Sequence, residues 1–168
     1  MQQEKELCIY SFTTKTLRYL SKLIMLITQK YVNEVAYEIV GCAIEVHKHL
    51  GPGLLESIYE KCLIEELTNN NFTVRSQIAL PITYKGKELD SMLKLDIVVD
   101  NLIIVELKAV ETILPIFKAQ LLSYLKLTDL PKGLLINFNC ENITRDGLIP
   151  LVTDKFSKLP LEMTPFLK

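Results

Sequence analysis

Two neighbouring segments of the chain decide its fold: LDIVV at residues 95–99 and IIVELKA at residues 103–109. Both are rich in β-branched residues, and the second is apolar on both faces, which is typical of a central strand. Yet it holds Glu106 and Lys108, which a period of two places on the same face. Burying such charges costs on the order of several kcal/mol each unless they are paired or bind an ion. The pattern leaves two interpretations open: a Glu–Lys pair at a solvated strand end, or a functional site.

Asp96 favours the functional interpretation, because a hairpin can bring it beside Glu106. Two carboxylates and a backbone carbonyl form a hard oxygen site suited to Mg²⁺, with Mn²⁺ as a substitute. A lysine beside that ion can orient or help deprotonate an attacking water. A plain two-residue turn at positions 100–101 would place Asp96 opposite Val105, with the wrong parity. We therefore predict a three-residue loop or a bulge that sets Asp96 opposite Glu106.

The flanking sequence predicts three helices and further strands. Asn33 is expected to cap the first helix, and Gly51-Pro52-Gly53 to end it. The second helix runs from about residue 54 to 69, and the third from about 115 to 127, with proline in its first turn. Strands are predicted at 72–79, 80–84, 92–99, 102–109 and 133–138. The expected inner faces are Val35, Ile39, Ala43, Val46 and Leu50 in the first helix, and Leu55, Ile58, Cys62 and Leu63 in the second.

The length of 168 residues and the 49% hydrophobic content suit one compact domain. We place this domain at 33–152, between an N-terminal helical extension at 1–32 and a C-terminal tail at 153–168. In the extension, Leu17, Leu20, Ile24 and Ile27 fall at helical spacing among basic residues. This helix is either a basic or partner-binding surface, or an accessory extension upstream of a natural start at Met25.

Several classes of protein are disfavoured by composition. The four cysteines form no CxxC pair, which argues against a disulfide scaffold and a zinc site. The longest apolar stretch, residues 17–27, is interrupted by charges and too short to cross a membrane, and no signal peptide is evident, so a cytoplasmic location is expected. The net charge of −1 gives no global attraction to nucleic acid. Binding would need a local positive rim, expected from Lys94, Lys108, Lys118 and Lys126.

The motifs together resemble a known family. Asp96 followed by Glu106-Leu107-Lys108 resembles the D…ExK signature of the PD-(D/E)XK nuclease superfamily. Gly53, Glu56 and Tyr59 resemble the signature of the GxxExxY proteins within it, and the segments EVHK at 45–48 and AQLLSYL at 119–125 are similar to that family too. The resemblance covers about residues 33–150. It implies an α/β (α+β) restriction-endonuclease-like fold, with a mixed central sheet flanked by helices. The extra N-terminal helix predicted above lies outside the resemblance.

The resemblance also implies roles for individual residues. Asp96, Glu106 and Glu56 would hold the metal, Lys108 would act on the nucleophilic water, and Gln120 would support the site as part of a QxxxY element with Tyr124. Lys94 departs from the arginine expected there, which loses a bidentate contact. From the residues alone, Glu56 can instead complement a helix dipole and Gln120 can bond the backbone. His47, His49 and Tyr59 are interpreted as structural.

Two functions of different classes follow. The first is a Mg²⁺-dependent nuclease that hydrolyses phosphodiester bonds of nucleic acid, with DNA favoured over RNA and a homodimer allowed. The alternative is a catalytically silent module of the same fold that binds a protein or nucleic-acid partner. A degenerate module tends to lose one of Asp96, Glu106 or Lys108, and this chain retains all three.

Overall fold

The computed structural model describes residues 27–162, which form a mixed five-stranded sheet with helices on both faces. The elements in chain order are α1 (Gln29–Leu50), α2 (Glu56–Asn69), β1 (Val74–Tyr84), β2 (Lys87–Val99), β3 (Ile103–Lys108), α3 (Pro115–Thr128), β4 (Lys132–Asn137), a π-helical turn (Ile143–Gly147), β5 (Leu148–Val152) and α4 (Asp154–Lys158). The predicted N-terminal helix lies outside the described residues.

The sheet follows the order of the strands in the chain, from β1 at one edge to β5 at the other. Only β3 and β4 run parallel, and α3 provides the crossover between them. One buried cluster joins α1 and α2 to the sheet, and a second cluster lies beneath α3. This arrangement confirms the predicted α+β fold with a mixed central sheet flanked by helices.

The first helix begins five residues earlier than predicted, with its cap at position 28 instead of position 33. Thr28 is its cap, because the Thr28 side chain accepts a hydrogen bond from the backbone N–H of Tyr31 at 3.1 Å. The prediction of Asn33 as the cap is therefore wrong. The Asn33 side chain instead accepts from Lys132 Nζ at 2.6 Å. The predicted inner face of α1 is buried, apart from Leu50 in the last turn, which is 36% exposed.

The predicted inner face of the second helix is wrong in part. Tyr59, Leu63 and Leu67 face the core, whereas Leu55 and Ile58 are exposed. The cause is Tyr59, whose ring stacks on Phe138 with centroids 4.5 Å apart. This contact fixes the rotation of α2 and turns Leu55 and Ile58 outward.

The strands also differ in extent from the prediction. The segments predicted at 72–79 and 80–84 form one strand, β1, which contains Pro81. An edge strand tolerates proline because one side of it forms no ladder. Beyond β4, by contrast, residues 148–152 form β5 and residues 154–158 of the tail form α4, and neither element was predicted. β5 has only five residues, including Pro150, and no fully buried side chain, so its pattern is weak.

Two further expectations concern composition. Cys42, Cys62 and Cys140 are free thiols, and Cys8 lies outside the described residues. Within residues 27–162, none of the helices has the length and apolar character needed to span a membrane.

Candidate active site

The hairpin between β2 and β3 sets the register on which the site depends. Val99 pairs with Ile103, and Ile97 pairs with Val105, so the connection is the three-residue loop 100–102. The predicted three-residue loop is thus confirmed. Continuing this register by one residue would set Asp96 opposite Glu106, as predicted, but the pairing of β2 with β3 ends at Ile97 and Val105.

An irregularity in the sheet coincides with Asp96. Ile97 packs in the cluster beneath α1 and α2, whereas Leu95 packs in the cluster beneath α3, although the two residues are two positions apart. Opposite Asp96 on β1, the pairing skips Gln77, which has a positive φ of 53°. The side chain of Asp96 replaces the ladder here, since its Oδ2 accepts the backbone N–H of Leu107 at 2.9 Å. β2 therefore diverges from β3 at Asp96 and opens the sheet beside Glu106.

Glu106 and Lys108 form a close ion pair inside this opening. Glu106 is 2% exposed, and its Oε1 accepts a hydrogen bond from Lys108 Nζ at 2.8 Å. The same ammonium donates to the carbonyl oxygen of Leu107 at 2.7 Å. The second carboxylate oxygen of Glu106, Oε2, is buried without a hydrogen-bond partner among the described residues. A buried carboxylate oxygen without a donor is costly, and a cation would satisfy it.

The electrostatics of Glu106 follow from this geometry. Burial raises the pKa of Glu106 to about 7, and the negative charge of Asp96 adds to the rise. The hydrogen bond and positive charge of Lys108 oppose it without cancelling it. Near neutral pH the carboxyl is therefore divided between its protonated and ionised forms when no cation is bound.

Lys108 is held as an ammonium. Burial by itself lowers the pKa of Lys108, but the hydrogen bond to Glu106 and the surrounding carboxylates outweigh burial, so the net change is upward. A protonated lysine can donate hydrogen bonds and stabilise negative charge, but it cannot accept a proton. The geometry favours an orienting and charge-stabilising role over that of a base.

Glu56 approaches the same group from the opposite layer. It is the first residue of α2, and its Oε2 lies 3.9 Å from Lys108 Nζ. Burial raises the pKa of Glu56; the charge of Lys108 lowers it, and that of Asp96 raises it. The charges of Lys108 and Asp96 therefore act directly on the Glu56 carboxylate. A carboxylate whose role was only to stabilise the helix N-terminus would not need to lie beside them.

Tyr59 and the loop before α2 explain how Glu56 is positioned. The Tyr59 hydroxyl donates to the Gly51 carbonyl oxygen at 2.6 Å and accepts the Leu54 N–H at 3.1 Å. Gly53, with a φ of 98°, has a backbone conformation that favours glycine. Together they fix the turn from which Glu56 begins the helix. His47 contacts the segment after β4, with Nε2 at 2.9 Å from the Cys140 carbonyl oxygen, and its structural role stays a prediction.

Gln120 lies on α3, whose first turn borders the site. The Phe117 ring is centred 5.5 Å from Lys108 Nζ, and Gln120 follows one turn later. The Gln120 amide donates to the Tyr124 hydroxyl at 2.6 Å. The two polar residues of the QxxxY element are therefore paired with each other rather than with the carboxylates.

Sequence reasoning missed Asn137, which anchors the backbone after Lys108. Asn137 is 3% exposed and lies beside Lys108 in the parallel register of β3 and β4. Its Oδ1 accepts from Val110 N at 3.0 Å, and its Nδ2 donates to Val110 O at 2.8 Å. An asparagine at the end of the apolar run GLLI was the available signal, because a buried amide needs partners.

Of the four lysines expected to form a positive rim, Lys108 is the one that contacts the carboxylates within residues 27–162. Lys94 and Lys118 are exposed, whereas Lys108 is nearly enclosed and belongs to the centre. Lys126 borders a different groove with Lys155, nine residues beyond Phe117 on α3, or about 13 Å along the helix. Lys126 is therefore separated from the site.

The donor set fits a hard divalent cation through two carboxylates and a carbonyl. The Asp96 carboxylate accepts the Leu107 N–H, its charge acts on the neighbouring Glu106, and the Leu107 carbonyl oxygen contacts Lys108, so hard oxygen groups of the type that Mg²⁺ binds lie on these adjacent strands. Within residues 27–162, no three acidic, histidine or cysteine side chains come close enough to form a ligand group by themselves. A direct ligand role for Glu56 accordingly remains a prediction.

The mixed sheet, the acidic pair and the adjacent lysine define a nuclease-type α+β domain. The chain belongs to the PD-(D/E)XK nuclease superfamily, whose family model matches residues 33–147. Nucleic acid is the substrate that this superfamily implies, and its nucleases typically use divalent metals. Neither a curated protein nor a solved structure gives a significant match to the chain.

Proposed function

We propose that the protein is a Mg²⁺-dependent nuclease that hydrolyses phosphodiester bonds, with Mn²⁺ as a substitute. The observation that carries this proposal is the buried, unpartnered Oε2 of Glu106 beside Asp96 and Lys108. A structural ion pair would be expected to satisfy both carboxylate oxygens, whereas a cation site leaves one available.

The residues would divide the work as follows. Asp96 and Glu106 would hold the ion with the Leu107 carbonyl, and Glu56 would contribute from α2. The bound ion supplies Lewis-acid polarisation of the phosphate and a more acidic water. Lys108 would orient the attacking water and stabilise charge that develops on the phosphate. Gln120 would act indirectly, by holding the hydroxyl of Tyr124 one turn further along α3.

We further propose that the chain belongs to the GxxExxY branch of the superfamily. Each residue of that signature has a physical role here: Gly53 permits the turn, Glu56 faces Lys108, and Tyr59 ties the turn to the helix. DNA is the proposed substrate and the cytoplasm the proposed location. A homodimer stays a prediction.

The test is a nuclease assay with Mg²⁺, Mn²⁺ or chelator on linear and circular DNA and on RNA. Wild type is expected to cleave only with metal, Glu106→Gln to be inactive, and Lys108→Ala to cleave about 10²-fold more slowly than wild type. Lys158→Ala serves as the matched control, because Lys158 is a surface lysine on α4. Equal cleavage by wild type and Glu106→Gln would reject the proposal.

The second candidate is a catalytically silent module that binds a partner. It is favoured by the lack of a three-side-chain ligand group in the described part of the chain and by the net charge of −1. Nucleic-acid or protein binding with no hydrolysis under any metal condition would support it.

A further inference from the structure

The edge strand β1 contains one residue whose backbone leaves the strand conformation. Gln77 has a φ of 53°, in the left-handed region that favours glycine. The other non-glycine residues with a positive φ within residues 27–162 lie in turns or at a helix end: Asn71, Lys85, Asp100, Asn101 and Asp129. Gln77 is therefore the one strained position inside a strand of the described chain, and strain of this kind is typical of functional sites.

The strained position lies directly across the sheet from Asp96. Ser76 and Ile78 pair with the residues on either side of Asp96, so Gln77 would pair with Asp96 in a regular ladder, but this pairing is skipped. Because β1 is the edge of the sheet, it can kink here without disturbing another strand. The kink removes the partner that would otherwise hold the Asp96 backbone in the ladder.

The kink in β1 lets β2 turn about its own axis at Asp96. Leu95 and Ile97 pack in different clusters, on the two faces of the sheet, although residues two positions apart in a regular strand share a face. This turn allows the Asp96 carboxylate to reach the backbone N–H of Leu107, which its Oδ2 accepts at 2.9 Å. The position of the Asp96 carboxylate in the site thus depends on the kink in the neighbouring strand.

A side-chain contact holds the kink in place. The amide nitrogen of Gln77, Nε2, donates a hydrogen bond to Oε1 of Glu60. Glu60 lies on α2, one helical turn after Glu56, so the contact ties the kinked position of β1 to the helix that carries Glu56. Glycine would adopt the same backbone without such a contact, whereas glutamine needs contacts that offset its strain.

We propose that Gln77 is a positioning residue for the candidate metal site, because its left-handed backbone directs the Asp96 carboxylate to Leu107 and Glu106. The inference rests on the proposed function, since it assigns Asp96 to the ion. The site then requires the conformation at position 77 rather than the glutamine side chain. Glycine should therefore replace Gln77, and residues that resist a positive φ should fail to do so.

Hydrogen exchange of the full chain, followed by NMR in chelator, tests the proposal without metal. The Leu107 N–H reports its contact with Asp96, and the Ile104 N–H in the middle of β3 reports opening of the sheet as a whole. In Gln77→Val, Leu107 should exchange at least about tenfold faster relative to Ile104, because a β-branched residue resists the left-handed region. In Gln77→Gly, the ratio should stay within about twofold of wild type. The matched control is Ser76→Val, the same new residue at an exposed and regularly paired neighbour.

Calorimetric titration with Mg²⁺ links this position to the ion. Gln77→Val should bind Mg²⁺ about 10-fold more weakly than wild type, which is the loss typical of residues that orient a metal ligand. Gln77→Gly should bind Mg²⁺ as wild type does. A wild-type protein that binds no Mg²⁺ would reject the metal site of the proposed function, while the exchange of Leu107 would still decide whether Gln77 positions Asp96.

Three results would overturn the proposal. Leu107 exchange in Gln77→Val equal to that in wild type would show that Asp96 keeps its place without the left-handed backbone. Exchange in Gln77→Gly as fast as in Gln77→Val would assign the effect to the lost contact with Glu60 instead. Equal Mg²⁺ affinity of Gln77→Val and a wild type that binds the ion would separate the kink from the metal site. If Gln77→Val does not fold, Gln77→Ala takes its place, because alanine also disfavours a positive φ but has no branched side chain.

Discussion

Replacing Glu106 by glutamine should stabilise the metal-free protein above neutral pH. Glutamine is nearly isosteric with glutamate but carries no charge, so it removes the cost of ionising a buried carboxyl beside Asp96. The pKa of Glu106 rises from 4.5 to about 7 on folding, a difference of about 2.5 units. At about 1.4 kcal/mol per unit, ionisation costs the folded state about 3 kcal/mol at pH 8. The attraction of Lys108 is already included in that pKa.

The sign of the pH dependence follows from the raised pKa. Between pH 4.5 and 7 the folded protein binds more protons at Glu106 than the unfolded chain does, so stability falls as pH rises through this window. Glu106→Gln lacks this loss. The variant should match wild type near pH 4.5, and its advantage should grow to its full value above pH 7.

Thermal melting in chelator at pH 5 and pH 8 measures the effect. For a domain of this size, about 3 kcal/mol corresponds to an upper bound of about 6–12 °C in Tm. Adding Mg²⁺ at ten times its Kd should stabilise wild type by about 1.4 kcal/mol and leave Glu106→Gln nearly unchanged. A variant that melts well below wild type at pH 8, in a protein that binds no divalent ion, would refute the reasoning and make Glu106 a structural partner of Lys108.

Four further outcomes are expected. Lys108→Ala should retain Mg²⁺ binding in calorimetry yet reduce the cleavage rate by about 10²-fold, and lost binding would contradict its assigned role. Tyr59→Phe should lower the free energy of unfolding in urea by about 1–2 kcal/mol, because two backbone groups lose the hydroxyl while the stacked ring remains. Asn137→Ala should cost about 3 kcal/mol in the same assay, and a cost near zero would show that Val110 finds other partners. Nucleic-acid binding should weaken as salt rises, and binding that does not respond to salt would argue against a phosphate-contacting rim.

Much of the fold could be predicted because the strongest signals are local. The parity of the β2–β3 hairpin required three loop residues once Asp96 and Glu106 had to share a face, and the loop has three. Pro115 marks the start of α3, and Gly51 ends α1 with a φ of 67°. Each of these depends on a neighbouring turn or cap, which the sequence specifies directly.

The errors concern features that depend on distant residues. Thr28 and Asn33 are both acceptable caps, and the choice between them depends on residues 160–161, whose carbonyls accept the first N–H groups of α1. The rotation of α2 depends on Phe138, which is 79 positions from Tyr59 in the chain. The apolar pattern of a helix predicts a face, but the partner of that face decides which residue is innermost.

The balance of positive and negative charge in the site is the property that is hardest to predict from the sequence pattern. The same Glu-x-Lys spacing on an exposed strand would form an ordinary ion pair of little energetic consequence. Here β2 and β4 flank β3 while the first turns of α2 and α3 close the two faces, so Glu106 is desolvated beside two other carboxylates and only one lysine. Such a local conflict raises the energy of the folded state, and it is typical of functional sites. A divalent cation would reverse the sign of that contribution, because it supplies the positive charge that Lys108 cannot supply to three carboxylates.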